Sequence, residues 1–245
     1  MQNSSEKIIF APIKSKRTFE EICSEIKKLI ISGILRPGNK LPSESELARQ
    51  FSVGRQTIRE ALRILELSGF ITVQRGSTGG AIIIDTVLSK ISDLLLNAFQ
   101  MKKISIDELT TARLEVERTI LGYVITNAGD DEINNLQENI VQAEKEVEAG
   151  IHPFTTNSEF HNILAKSAKN SIFVIVEASI MTVVTDFLSR LTPDFEGSRR
   201  TIKEHQSILD AIRRRDSQEA SRVLEKHILD VGSRFQGMIE QIYDR

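Results

Sequence analysis

The chain has 245 residues, of which 27% are charged and 40% hydrophobic, with a formal net charge of -2. That balance excludes a disordered tail and leaves room for one large or two ordinary globular domains. The charge is uneven: residues 1–80 hold 13 lysines and arginines against eight acids, and residues 81–245 hold 19 against 26. A basic head on an acidic body excludes a uniformly cationic nucleic-acid coat protein but fits a local DNA reader.

Met1 to Arg17 is a polar arm ending in Lys14-Ser15-Lys16-Arg17. Thr18, with Glu21 three residues on, is the expected cap of a first helix whose buried stripe is Phe19, Ile22, Ile26, Leu29 and Ile30. Cys23, the single cysteine, rules out an intramolecular disulfide and a thiolate metal cluster, and reads as a small core residue. The helix is expected to end near Gly33, with Pro37-Gly38 as a turn. Ser43 and Glu46 then predict a capping box opening a short helix through Arg49 to Phe51. Ser52-Val53-Gly54 is a tight turn that places Gly54 at the next N-cap. A third helix over Arg55 to Ser68 puts Ile58, Ala61, Leu62 and Leu65 inward and Arg55, Gln56 and Arg59 outward. Such a helix suits a major groove, where Arg grips guanine and Gln adenine. Phe70–Gln74 and Ala81–Ile84 read as a strand pair joined by the glycine-rich tip Arg75 to Gly80, a wing for phosphate or minor groove. No Gly-Lys-Ser/Thr follows those glycines, so they are not read as a nucleotide-binding loop.

The run Gly33-Ile34-Leu35-Arg36-Pro37-Gly38-Asn39-Lys40-Leu41-Pro42-Ser43-Glu44, followed by Val53 to Leu62, resembles the GntR family of bacterial transcriptional regulators over about Lys14 to Ile84. The resemblance implies DNA contacts from Arg55, Gln56, Thr57 and Arg59, with Arg75 and Gly76 in the wing. Ser45 stands where many relatives have arginine, so the resemblance implies a backbone or base contact from that helix that is either weaker or replaced by Arg49.

After Asp85 the pattern is helical throughout. Helices are expected over 87–99, 105–127, 130–149, 154–169, 171–190, 197–214 and 216–242, with Ser105/Glu108 and Asp216/Glu219 as capping pairs. The apolar run Phe173 to Val184 is broken by Glu177, and no apolar leader opens the chain, so no membrane span and a cytoplasmic location are expected. The fold class is therefore mainly α: a winged helix-turn-helix of three helices plus a hairpin, then an all-α antiparallel bundle. The expected division is an arm at 1–17, the winged domain at 18–85, a linker and connecting helix at 86–104, and an effector-binding and dimerisation domain at 105–245.

Of four histidines, His152 precedes Pro153 in what reads as an exposed turn. His161, His205 and His227 each lie on an apolar face of a different helix, and facing helices can converge such imidazoles on one point. Taken singly, each is more often a hydrogen-bonded core residue. The helical half resembles the FCD-type ligand-binding domain of the FadR subfamily, whose metal-containing branch has an aspartate four residues before a histidine and then two further histidines. His161, His205 and His227 match, and Asn157 replaces the aspartate. The resemblance thus implies a divalent ion, with zinc or nickel favoured by three imidazoles and an amide oxygen. Arg113 and Glu117 form either a helical ion pair or, as the subfamily implies, a cavity-facing arginine for an effector carboxylate. The leading expectation is a homodimeric repressor that binds a short inverted-repeat operator and releases it on taking a small organic acid. A metal-dependent enzyme carrying a DNA-binding head and a direct metal sensor are the alternatives. For the enzyme, Glu159 and Glu204 are the nearest candidate bases.

Overall fold

The computed structural model describes residues 18–74, 79–190 and 194–243. It divides into two compact units, Met1–Val87 and Leu88–Arg245. The arm before Thr18 and the wing tip at Arg75 and Gly76 lie outside the described residues.

The first unit contains α1 (Thr18–Ile31), α2 (Glu44–Gln50), α3 (Arg55–Leu67), β1 (Ile71–Gln74) and β2 (Gly80–Ile83). Its core is the stripe the periodicity predicts, with Ile22, Cys23 and Ile26 of α1 against Ile58, Ala61, Leu62 and Leu65 of α3. Phe19 and Ile30 pack only partly against it. Cys23 is buried and its thiol donates to the Ala61 carbonyl at 3.2 Å, a structural use of the sulfur. Of the capping box expected at Ser43, half forms: its hydroxyl accepts from the Glu46 amide at 3.3 Å, while the Glu46 carboxylate turns to Arg49 at 3.5 Å. Gly54 is the N-cap of α3 in an extended conformation. The left-handed residue of that turn is instead Ser52, at φ 54. The hairpin pairs Ile71 with Ile83 and Gln74 with Gly80. Its outer edge is covered: Leu41 donates to the Ala81 carbonyl and Ile83 to that of Asn39, both at 2.8 Å. Gly80, at φ +144, lets the Lys40 side chain lie across it, where a methyl group would collide.

The second unit is a helical bundle of α4 (Val87–Gln100), α5 (Ile106–Asn127), α6 (Asp130–Glu148), α7 (Phe154–Ser167), α8 (Ser171–Leu188), α9 (Phe195–Arg213) and α10 (Ser217–Tyr243). Caps explain the boundaries. Ser105 and Glu108 close a full capping box on α5, Asp216 accepts from the Glu219 amide at 3.0 Å, and Asp194 accepts from Gly197 at 3.0 Å. The last of these starts α9 earlier than Gly197 alone implies. Arg215, at φ 56, donates to the Ala128 carbonyl at 2.6 Å and to that of Ile125, closing the C-terminal end of α5. Helix α10 crosses α5 closely at Gly232, where a Cβ would lie 2.9 Å from Thr110. Leu95, Leu96 and Phe99 of α4 pack on a cluster that includes Ile180, Val183 and Val184 of α8, so most of the segment expected to connect the domains packs within this unit. By length and mean hydropathy, 1.9, α8 could cross a membrane. Here it is a wall of the bundle, with Glu177 fully buried.

Candidate functional site

On α3, Arg55 and Gln56 are exposed, Thr57 is half-buried and Arg59 is exposed. Burying Ile58, Ala61, Leu62 and Leu65 fixes this outward set, because a helix repeats every 3.6 residues. The Arg59 Nε donates to the Glu44 carboxylate at 2.8 Å, which steers the guanidinium without removing it from water. Arg63 extends the ridge by one more turn and is exposed. The sequence reading passed over it, although its spacing from Arg59 is the same as that of Arg59 from Arg55. Arg49 of α2 is exposed as well.

In the second unit, His161 of α7, His205 of α9 and His227 of α10 converge. Their ring centroids lie 4.9 to 5.2 Å apart, and one nitrogen of each comes within 4.8 Å of the other two. All three are buried, as are Arg113, Glu117 and Glu177. The Nδ1 of His161 meets a Glu117 oxygen at 2.6 Å, and that of His227 meets a Glu204 oxygen at 2.9 Å. Carboxylates only accept, so each Nδ1 carries the proton and each Nε2 presents a lone pair. Those two Nε2 atoms face one another at 3.3 Å with no proton to share. The Nε2 of His205 is buried without a hydrogen-bond partner, as is the amide oxygen of Asn157. Phe160 stacks on the His205 ring at 4.0 Å and sets its plane.

Protonation agrees with this geometry. Burial pushes His161 down to about 4, outweighing Glu117 beside it. Burial also lowers His205, further below its ordinary range, and His227. Burial opposes the charge on Glu117, yet His161 and Arg113 against its oxygens hold it at about 2. Burial and the neighbouring Glu117 charge raise Glu177 well above the usual carboxylate range. His161 and His227 each present an Nε2 lone pair beside the unpartnered Nε2 of His205, and the residues present fit a divalent ion.

Arg113 forms the expected helical ion pair and also lines the cavity. Its Nε pairs with Glu117 at 2.6 Å, its terminal nitrogen donates to His161 Nε2 at 2.9 Å, and it lines the cavity. That cavity, about 300 Å³, is bordered by Asn157, the three histidines and apolar side chains such as Phe154 and Met181. His152 corrects an expectation. It is half-buried on the cavity wall, stacked on Phe154 at 3.6 Å and bonded to the Ser198 hydroxyl at 2.9 Å. The aromatic at position 154 draws the ring inward. Neither candidate base is free, since Glu159 pairs with Lys166 at 2.7 Å and Glu204 holds His227 and Lys226.

Comparison with known proteins follows the same division. Residues 18–79 match the model described as "Bacterial regulatory proteins, gntR family", and residues 108–230 match the FCD domain. The chain is similar to the HTH-type transcriptional repressor NanR of Klebsiella aerogenes, 27% identical with 93% of this chain and 88% of that protein covered. The NanR of Escherichia coli K12 is 26% identical over 91% of this chain and 86% of that protein. Among solved structures, Streptococcus agalactiae GntR superposes with a TM-score of 0.63 at 26% identity, covering 88% of this chain and 99% of that one.

Proposed function

The chain belongs to the GntR family, with an FCD domain as its helical unit, and is a DNA-binding transcriptional regulator rather than an enzyme; from that premise we propose that it is a cytoplasmic repressor released from its operator by a small organic acid held beside a divalent ion. The observation that carries this reading is the convergence of buried imidazole nitrogens from three helices on a cavity that also contains an arginine. His161, His205 and His227 would hold the ion, with the Asn157 amide oxygen as a neutral fourth ligand, and zinc or nickel suits that donor set. Glu117 and Glu204 keep two of the rings in the ligating tautomer. The bound ion would supply Lewis-acid attraction for a carboxylate. Arg113 at present occupies the acceptor direction of His161 Nε2. Exchanging that contact for an ion frees a planar donor fork for the acid, which is the pairing Arg113 suits.

Regulators of this family bind DNA and typically dimerise. We assign operator reading to Arg55, Gln56, Thr57 and Arg59, with Arg49 and the wing residues Arg75 and Gly76 at the backbone, and a two-fold dimer to a short inverted repeat. Release requires that the acid bind one arrangement of the dimer better than the other. Fluorescence anisotropy on an operator selected from a random duplex pool tests this. With zinc present, an acid from a panel of small carboxylates should weaken operator binding by roughly fivefold or more. Operator affinity unmoved by every acid while zinc is bound overturns the effector reading.

A further inference from the structure

The cavity has a second polar end that the histidines do not use. It is built by Arg234 of α10 with Ser198 and Thr201 of α9. Arg234 follows His227 by seven residues, about two helical turns and roughly 10 Å of rise on the same face. Its terminal Nη2 is buried and has no hydrogen-bond partner. A guanidinium nitrogen kept from water without an acceptor is unfavourable; the charge of Asp194 is felt at Arg234, but Nη2 itself has no hydrogen-bond partner. The Ser198 hydroxyl is engaged with His152 and with the Asp194 carbonyl, both at 2.9 Å. Asp194, the acid at this end, accepts the Gly197 amide at 3.0 Å and forms no ion pair with Arg234 among the described residues. Gly197 lies directly beneath. A methyl there would collide with the Asp194 carboxylate and come to 3.4 Å from Arg234 Nη1, so a glycine lets the acid and the guanidinium share this corner. Phe154, Met181 and Val184 also line the cavity, apolar surface suited to a short hydrocarbon stretch.

We infer that Arg234 is a second anion subsite and that the effector is a diacid, one carboxylate beside the histidines and Arg113, the other on Arg234. This deepens the effector reading and rests on it. The helical rise of roughly 10 Å from His227 to Arg234 makes diacids of five or six carbons the chains to test.

The test titrates full-length, zinc-loaded protein by calorimetry with glutarate and adipate, and with their monoacid counterparts pentanoate and hexanoate. Wild type should hold a diacid at least about tenfold tighter than the monoacid of equal length, the value of one charge-assisted contact. Arg234→Gln should erase that ratio while leaving monoacid affinity within about twofold, and Arg234→Lys should restore part of it. An unchanged zinc-induced rise in Tm certifies that the variants fold. If wild type binds monoacid and diacid equally, or Arg234→Gln weakens both alike, the second subsite is wrong and the effector reading stands. If wild type binds none of the four acids, the diacid subsite is overturned, while the effector reading is decided separately by the operator-release panel.

Discussion

The two units place arginine in opposite surroundings. In the first, Arg49 and Arg59 have side chains 79% and 60% exposed, and their acidic partners are loose neighbours on the same surface. In the second, Arg113 and Glu117 are 3% and 2% exposed, and every nitrogen or oxygen around them is spoken for or conspicuously unpaired. Exposed charge is almost free of folding consequence and remains available to a polyanion. Buried charge must be compensated on the spot, and where compensation is incomplete a ligand is the remaining partner. The same chemistry thus marks a reading surface in one unit and a receptor in the other.

That contrast can be broken experimentally. Glu117→Ala removes one side of a buried pair and should destabilise the helical unit by about 3–5 kcal/mol in urea unfolding, whereas Glu46→Ala should fall within about 0.5 kcal/mol. Equal effects would erase the distinction. Acid should act on the second unit through its buried histidine and carboxylate. His161 is held at about 4 against an ordinary 6.5, so between those values the unfolded chain binds more protons than the native one. Stability of the metal-free protein therefore falls as pH drops from 6.5 to 4, with a slope approaching 1.4 kcal/mol per pH unit for this group. Glu117, lowered to about 2, extends the loss from 4.5 downward. Flat stability across that window would contradict burial as the cause. On the exposed side, Arg59→Ala should weaken specific operator binding by about 1–3 kcal/mol if it reads a base, without changing the unfolding midpoint. The smallest effect concerns the turn: Ser52→Gly relieves a left-handed residue and should stabilise the first unit by about 0.5 kcal/mol, measured by its Tm.

The sequence made the elements and the histidine triad legible because their signals are local. Capping residues such as Ser105 and Glu108 and stripes such as Ile58-Leu62-Leu65 need only spacing along one helix. What stayed hidden depends on contacts across the bundle. Glu177 reads as an interruption of an apolar run, and only the fold sets it near Glu117, 60 positions away in sequence. Arg234 was missed although Val231 and Arg234 lie four and seven residues after His227, the period that marks one face. That face reads as apolar as far as Val231, and without the cavity nothing extends it to a charged residue one turn on. His152 went the other way: the turn before Pro153 is a sound local inference, but Phe154 stacks the ring against the cavity wall.

The most direct test of the receptor reading is zinc titration of chelator-stripped protein, followed by thermal unfolding of wild type and His205→Ala. Zinc at a hundred times its Kd should stabilise the wild type by about 2.7 kcal/mol and leave His205→Ala where it was. A wild type indifferent to zinc, or a variant that gains as much, would show that the three imidazoles do not form an ion site.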